Sequence, residues 1–172
     1  MIMRPGDPKE THIILQTRKG TGIPNTQSHE YSALELRQFP LIEKDHPQAK
    51  FYMTPIPSYN CHGFTFASRR TGIVDNQALQ TILDEDGYTE VGVDAVLPGD
   101  IILYYTGDGD IEHSGIVVSE PDKDLKIPRV VSKWGKYKEV VHYANDSPYS
   151  WTNPKYFRVT RWMLSANNKS RQ

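Results

Sequence analysis

The second half of the chain contains short apolar runs, rich in Ile, Val and Tyr, that are bounded by Gly, Pro, Asn and Asp. Such runs between turn residues indicate β-strands, because β-branched and aromatic residues favour strands. The pattern predicts five strands, over residues 100–106, 111–119, 129–134, 139–143 and 156–163. The turn-rich residues between the first two strands predict a hairpin.

Helical spacing of apolar residues is found before these strands. It covers residues 61–72 and again residues 76–85, which predicts two helices. Residues 1–58 are rich in Pro, Gly, Asn, Thr and His. Among them we expect one short strand over residues 11–16 and one helix that begins near Ser28 and ends before Pro40.

The order of the predicted elements indicates the fold class. Helices come first and antiparallel strands follow, which is typical of an α+β domain whose N-terminal helices pack on one side of a β-meander. No repeat or low-complexity linker divides the chain. We therefore predict an irregular N-terminal extension packed on the domain (residues 1–58), one folded domain (residues 59–164) and a polar tail (residues 165–172).

The charge of the chain narrows the classes of partner. Its 20 Lys and Arg residues nearly balance 21 Asp and Glu residues, for a formal net charge of -1. Neither nucleic acid nor an acidic membrane is expected as a partner, because both bind mainly to accumulated positive charge. The N-terminal residues lack the apolar core of a secretory signal, and no apolar run reaches the roughly 20 residues that cross a bilayer. We expect a cytoplasmic protein, unless a secretion apparatus exports it or lysis releases it.

Cys61 is the single cysteine, which excludes an intrachain disulfide and a multi-cysteine zinc site. A buried small hydrophobe, an intermolecular link and a reactive thiol remain as its interpretations. Its place at the start of a predicted helix favours a thiolate, because the free N–H groups of the first turn face it. Gly63 leaves room for the backbone to approach a substrate. A metal shared with His62 is not expected, since adjacent helical side chains diverge by about 100°, and no cofactor is predicted.

Three short motifs occur along the chain in the same order as in a known protein family. They are Asn60-Cys61-His62-Gly63-Phe64 at a helix start, Pro98-Gly99-Asp100-Ile101 before a strand, and His113-Ser114-Gly115-Ile116 on the next strand. This order resembles the NlpC-type cell-wall peptidases of the papain-like superfamily, which have Asp-Cys-Ser-Gly-Phe, Pro-Gly-Asp-Leu and His-Val-Gly-Ile at these places. The resemblance spans residues 59–134 and implies a papain-like catalytic domain over residues 59–164.

The resemblance implies a cysteine hydrolase that cleaves an amide bond in peptidoglycan stem peptides. Cys61 would attack the carbonyl as a thiolate paired with protonated His113, the imidazolium would protonate the leaving amine, and water would hydrolyse the thioester. The backbone N–H of Cys61 would bind the oxyanion, with Tyr59 or the Asn60 amide as candidates for a second donor. His62 is expected to line the substrate or to face solvent.

The group that orients His113 departs from the family pattern. The family position, on the strand after the base, falls nearest Ser132, where the family often has His. A serine hydroxyl can accept a hydrogen bond from a ring N–H, but it cannot stabilise an imidazolium as a carboxylate does. Strand alternation puts the neighbouring Lys133 on the opposite face from Ser132.

Other functions remain open. The same Cys/His pair supports any acyl transfer, so the chain could be a thiol protease, deamidase or acyltransferase acting on a cytosolic protein. From a different class, Ser132 keeps open a non-catalytic binding module of the same fold. A wall hydrolase would act as an antibacterial effector or lysin, with an inhibitor or immunity protein as a candidate partner. Residues 1–58 would either cover the groove as an inhibitory lid or complete the core.

Overall fold

The computed structural model describes residues 9–122 and 124–160, which contain three α-helices and nine β-strands. The helices are α1 (Ala33–Asp45), α2 (Cys61–Phe66) and α3 (Asn76–Asp86). The strands are β1 (Glu10–Thr11), β2 (Gln27–Ser28), β3 (Lys50–Tyr52), β4 (Tyr88–Val91), β5 (Ile101–Tyr105), β6 (Ile111–Val117), β7 (Arg129–Lys133), β8 (Glu139–Tyr143) and β9 (Lys155–Val159).

Seven of these strands form one antiparallel sheet in the order β3-β8-β7-β6-β5-β9-β4, and β1 pairs with β2. The chain is therefore an α+β protein, as the order of the predicted elements indicated. Strands β5 to β8 form a meander. The last strand, β9, returns to lie between β5 and β4, so the C-terminal part of the described chain completes the sheet.

Helix α3 forms where its sequence pattern placed it. The Asp75 side chain caps it by accepting a hydrogen bond from the Ala78 N–H at 2.9 Å. Gly87 ends it in the left-handed conformation with a φ of 80°, which a residue with a Cβ adopts at a cost. The apolar stripe of α3 is buried against Ile101 and Leu103 of β5. This contact holds α3 on one face of the sheet.

The opposite face of the sheet has its own apolar cluster. Ile102 and Tyr104 of β5 lie there with Val117 of β6 and Val130 of β7, as strand alternation requires. Residues 144–151 cover this face, through Ala144, Tyr149 and Trp151. The sheet is thus buried on both sides, with α2 and α3 on one face and an irregular segment on the other.

The predicted bounds of α1 were wrong. The helix is capped by Ser32, whose hydroxyl accepts from the Glu35 N–H at 3.2 Å, while the Glu35 carboxylate accepts from the Ser32 N–H at 2.7 Å. This reciprocal capping box starts the helix four residues after Ser28. The helix then continues through Pro40 to Asp45. Pro40 has no N–H to donate to the carbonyl one turn earlier in the helix. Because none of the helix residues is fully buried, water can reach that carbonyl instead.

Other boundaries also differ from the prediction. Helix α2 ends at Phe66 because the chain takes positive φ angles at Ser68 and Arg69. The strand predicted over residues 11–16 is reduced to β1, and β3 and β4 were not predicted. Strand β3 belongs to the predicted N-terminal extension, yet it pairs with β8 in the main sheet. The end of the last predicted strand, residues 161–163, and the polar tail lie outside the described residues.

Candidate active site around Cys61 and His113

Cys61 is the first residue of α2, as the sequence predicted. Asn60 caps this helix, because its Oδ1 accepts hydrogen bonds from the N–H groups of Gly63 at 2.9 Å and Ile73 at 3.1 Å. Its amide nitrogen donates to the Ile73 carbonyl at 2.6 Å. These bonds fix the position of Cys61, and they already occupy the Asn60 amide that the sequence suggested as an oxyanion donor.

Gly63 has a structural role that the sequence did not reveal. A Cβ at this position would meet the backbone carbonyl oxygen of Thr71 at 1.7 Å. The chain that follows α2 therefore packs directly against the helix backbone. The space that we attributed to an approaching substrate is filled by the protein itself.

The Cys61 thiol is buried, with 5% of the residue exposed. Burial raises its pKa to about 12, because a thiolate loses its solvation there. The backbone N–H groups of Ser114, His62 and Cys61 and the charge of Lys133 act in the opposite direction without outweighing burial. Cys61 is therefore a neutral thiol in this conformation.

His113 lies on β6 and is fully buried. Among residues 9–122 and 124–160, neither of its ring nitrogens has a hydrogen-bond partner, so no such bond joins it to Cys61. Burial holds the His113 pKa well below its usual 6.5, and the charges of His142 and His62 lower it further. The surroundings thus favour a neutral imidazole and a neutral thiol rather than the ion pair expected from the sequence.

Neighbouring residues of β6 point to opposite faces of the sheet. The Ser114 hydroxyl faces α2, where it donates to Thr65 Oγ1 at 3.0 Å and lies 2.9 Å from His62 Nδ1. The His113 ring faces the other side, with its centroid 5.2 Å from that of Tyr104. The ring of Tyr149 stacks on it, with centroids 3.7 Å apart and planes 7° apart. Burial raises the Tyr149 pKa, and a Cys61 thiolate would raise it further.

The Ser132 hydroxyl is bound to a histidine, but that histidine is His142 and not His113. Ser132 Oγ lies 2.9 Å from His142 Nε2, and both residues are fully buried. His142 Nδ1 lies 2.8 Å from the carbonyl of Tyr143 and must therefore carry the ring proton. Burial lowers the His142 pKa to about 4, so the ring is neutral and its Nε2 accepts from Ser132. The Ser132 oxygen can therefore accept a hydrogen bond from another donor.

Sequence reasoning missed His142, although a signal for it was present. The predicted strand over residues 139–143 was correct, and β7 pairs with β8 with Ser132 opposite Val140. Alternation along that strand puts position 142 on the same face as position 140, next to Ser132. The pairing of the two predicted strands would have been enough to predict the contact between Ser132 and His142.

The remaining predicted substrate-binding residues make internal contacts. The Tyr59 hydroxyl donates to Glu139 Oε1 at 2.7 Å. His62 is buried, which lowers its pKa to about 4, and its Nδ1 contacts the Ser114 hydroxyl. The expectation that His62 could face solvent was therefore wrong. The Cys61 carbonyl ends this chain of bonds, because it accepts from the Thr65 hydroxyl at 3.0 Å.

A buried charged cluster lies on the α2 side of the sheet. Glu139 accepts from Arg69 Nε at 2.5 Å and Arg69 Nη2 at 2.9 Å. Burial alone would raise the Glu139 pKa, but the hydrogen bonds of Arg69 and Tyr59 outweigh it and hold that pKa below its usual value. Lys133 lies directly across from Glu139 in the sheet and is also buried. Its side chain is on the face opposite Ser132, as alternation predicted.

Three cavities share Lys136 and follow one another across the surface. The first, of about 370 Å³, lies between α1 and Tyr149. The second, of about 500 Å³, shares Glu35 and Lys136 with it. The third, of about 320 Å³, reaches Tyr59 and Asn60, immediately before Cys61. The three cavities share lining residues, and we call them together the Lys136 groove; Cys61 and His113 are not among the residues that line it.

No known family model matches the chain, and no curated protein or solved structure matched it either. The NlpC-type resemblance therefore rests on the three motifs of the sequence. Within the described ranges, no group of three or more His, Cys, Asp and Glu side chains is arranged to hold a metal ion. The helices among those residues are too short or too polar to cross a membrane.

Proposed function

We propose that this protein is a cysteine hydrolase with a papain-like, NlpC-type fold, in which Cys61 and His113 cleave an amide bond. One observation supports the proposal: α2, which begins at Cys61, packs on β6, which holds His113, through the contacts of the Ser114 hydroxyl with Thr65 and His62. The two segments that hold the nucleophile candidate and the base candidate are 52 residues apart in sequence and adjacent in the fold. A buried structural cysteine would not require this arrangement of motifs.

The reaction would proceed through two acyl transfers. His113 takes the proton of the Cys61 thiol as the sulfur bonds to the carbonyl carbon, and the carbonyl π electrons move to oxygen. The backbone N–H of Cys61 stabilises this oxyanion. The C–N bond then breaks and His113 returns the proton to the leaving nitrogen. Water attacks the thioester in the same way, which releases a carboxylic acid and the thiol.

The described conformation is a resting form in this scheme. Both reacting groups are buried and neutral, and the His113 ring has no hydrogen bond within the described part of the chain. Proton transfer requires His113 to face the sulfur. Because Tyr149 is stacked on the imidazole, Tyr149 is the group that has to move first.

Ser132 would orient His113 by accepting a hydrogen bond from its ring. Its proton is donated to His142, and its oxygen is left as an acceptor for an N–H of His113. His142 lies close enough that a protonated His142 ring would lower the His113 pKa. The serine that departs from the family pattern would then be supported by a histidine from the next strand.

The substrate would be an extended peptide, with peptidoglycan stem peptides as the class that the sequence resemblance implies. The Lys136 groove is the surface that we assign to this peptide, because one of its cavities is lined by Tyr149 and another by Tyr59 and Asn60, next to Cys61. Helix α1, from the N-terminal extension, forms one wall of this groove. An inhibitor or immunity protein would act by filling the same groove.

A non-catalytic module of the same fold is the second candidate. It is favoured by the burial of Cys61 and His113 and by the pKa shifts that keep both groups neutral. In such a module these two side chains would only fill the core. The two candidates differ in one measurable property, the turnover of a peptide substrate.

The deciding experiment is digestion of purified sacculi, followed by mass analysis of the released muropeptides. We expect the wild-type chain to release stem-peptide fragments, and Cys61→Ala and His113→Gln each to reduce the rate by about 100-fold or more. His12→Gln is the matched control, because His12 is an exposed histidine outside the site. A folded wild-type chain that releases no fragment from sacculi and cleaves no amide of a peptide library would favour the binding module.

A further inference from the structure

The position of the Tyr149 ring depends on how the covering segment (residues 144–151) is anchored. After Tyr149, the Ser150 N–H donates to Glu112 Oε2 of β6 at 3.0 Å. Before it, the Asp146 carboxylate accepts a hydrogen bond from another part of the chain. The ring lies between these two anchors, so the release of one of them gives it freedom to move away from the candidate base.

The donor to Asp146 is His46, the residue that follows α1. His46 Nδ1 lies 2.8 Å from Asp146 Oδ1 and carries a proton, because an ionised carboxylate only accepts hydrogen bonds. The His46 ring also lies edge-on against Trp134, with centroids 4.8 Å apart. Among the hydrogen bonds of the described chain, this is the one that joins α1 and its C-terminal cap to the covering segment.

Helix α1 is attached to the domain by surface contacts. None of its residues is fully buried. Glu43 binds Lys138 Nζ at 2.6 Å and the Tyr137 hydroxyl, and Phe39 stacks on the Tyr137 ring with centroids 4.4 Å apart. A cavity of about 370 Å³ lies between α1 and Tyr149, so the helix does not pack closely on the covering segment there. An element with so few buried contacts opens at a low cost in free energy.

We propose that α1 is an autoinhibitory element of the candidate site: through the His46–Asp146 contact it keeps the covering segment closed, with the Tyr149 ring on His113. The inference rests on the proposed function, because it gives His113 the role of base. When α1 leaves the surface, Asp146 loses its donor and the segment around Tyr149 keeps only the anchor at Ser150. Tyr149 then moves off the imidazole without any change in covalent bonds.

The first test is the rate at which diethyl pyrocarbonate acylates His113, followed for each histidine by mass spectrometry. The reagent attacks accessible, uncharged imidazole, and burial holds the His113 pKa well below its usual value, so the rate at pH 7 reports exposure of the ring. We expect His46→Phe to raise this rate about tenfold, because the hydrogen bond is lost while an aromatic ring remains against Trp134. His46→Asn keeps an N–H donor and should react like the wild-type chain. Equal rates for His46→Phe and either of these proteins would overturn the proposal.

Asp146 gives a second pair of variants. Asp146→Ala removes the acceptor and should raise the rate of His113 acylation by the same factor, whereas Asp146→Asn keeps an acceptor oxygen and should react like the wild-type chain. His46→Phe combined with Asp146→Ala should give no further increase, because both remove one contact. Asp108→Ala is the control, since Asp108 is an exposed carboxylate in the turn between β5 and β6. Additive increases in the double variant would overturn the proposal.

A third variant loosens α1 at a site away from the covering segment. Glu43→Ala removes the bonds to Lys138 and Tyr137. We expect it to raise the rate of His113 acylation about threefold, because α1 then leaves the surface more often. Arg37→Ala, at an exposed position of the same helix, is the matched control. Acylation of Glu43→Ala at the wild-type rate would show that α1 does not keep the segment closed.

Acylation of His113 does not require turnover, so the two proposals fail in different ways. If the variants change acylation as expected but none of them cleaves an amide, α1 controls the covering segment and the proposed function falls. If the wild-type chain cleaves sacculi through Cys61 but His46→Phe changes neither acylation nor cleavage, the hydrolase stands and the role of α1 is wrong. If both proposals hold, His46→Phe cleaves sacculi faster than the wild-type chain.

Discussion

The Tyr149 ring lies flat on the His113 imidazole, with ring centroids 3.7 Å apart. The Tyr149 backbone is part of the irregular segment between β8 and β9, and the neighbouring Ser150 N–H donates to Glu112 Oε2 at 3.0 Å. This bond anchors the segment to β6 beside His113. The arrangement covers the candidate base while leaving its nitrogens without partners in the described chain.

Removal of the Tyr149 ring should expose the site. We expect Tyr149→Ala to increase the alkylation rate of Cys61 about tenfold, which corresponds to a loss of about 1.4 kcal/mol of protection. Tyr149→Phe keeps the stacked ring and should react like the wild-type chain. Equal rates for the Ala and wild-type proteins would show that Tyr149 does not control access.

The stability of this protein should begin to fall at a pH above the range in which its carboxylates take up protons. His62, His113 and His142 are buried with pKa values lowered by burial, so the folded state binds fewer protons than the unfolded state below pH 6.5. Stability is therefore lost as pH falls from about 6.5 toward 4.5, by up to about 1.4 kcal/mol per pH unit for each histidine. Urea unfolding across this range measures the slope.

A histidine variant checks the origin of that slope. His113→Gln should make the slope of unfolding free energy against pH smaller by the contribution of one histidine, which is up to about 1.4 kcal/mol per pH unit. His12→Gln, at an exposed position, should leave the slope as it is in the wild-type chain. A flat profile above pH 4.5 in the wild-type protein would contradict the assignment.

Gly63 should tolerate no side chain. Gly63→Ala would put a Cβ 1.7 Å from the Thr71 carbonyl oxygen, so we expect a loss of about 3 kcal/mol in unfolding free energy. Gly92→Ala is the matched control, because no heavy atom lies within 4 Å of its Cβ and its φ of -68° suits any residue. If both variants unfold at the same urea concentration, the close approach to Thr71 is not required by the fold.

The buried carboxylate of Glu139 should be needed for stability. Glu139→Gln leaves the charges of Arg69 and Lys133 in the cluster without an anion, and we expect a loss of about 3 kcal/mol. Glu90→Gln removes an exposed partner of Lys155 and should cost less than about 1 kcal/mol. Thermal or urea unfolding compares the two, and a similar small loss in both would show that solvent reaches Glu139.

Prediction from the sequence succeeded where a local pattern was sufficient. The bounds of β8 agree with the prediction, and α3 differs by one residue, because β8 follows the turn at Gly135 and α3 has a regular apolar period between its cap and Gly87. It failed at α1, where the capping box of Ser32 and Glu35 was overlooked and Pro40 was taken as a stop. It also missed β3, a strand of three residues that exists through its pairing with β8.

The amino-acid pattern alone was enough to determine an α+β chain with Cys61 at a helix start and His113 on a strand, since periodicity and turn residues act over a few neighbours. The contacts around these residues came from the packed fold. Ser132 meets His142, and Tyr149 meets His113, because strand pairing and the covering segment bring distant residues together. The neutral state of the thiol and the imidazole has the same origin, because burial is a property of the whole fold and not of any segment.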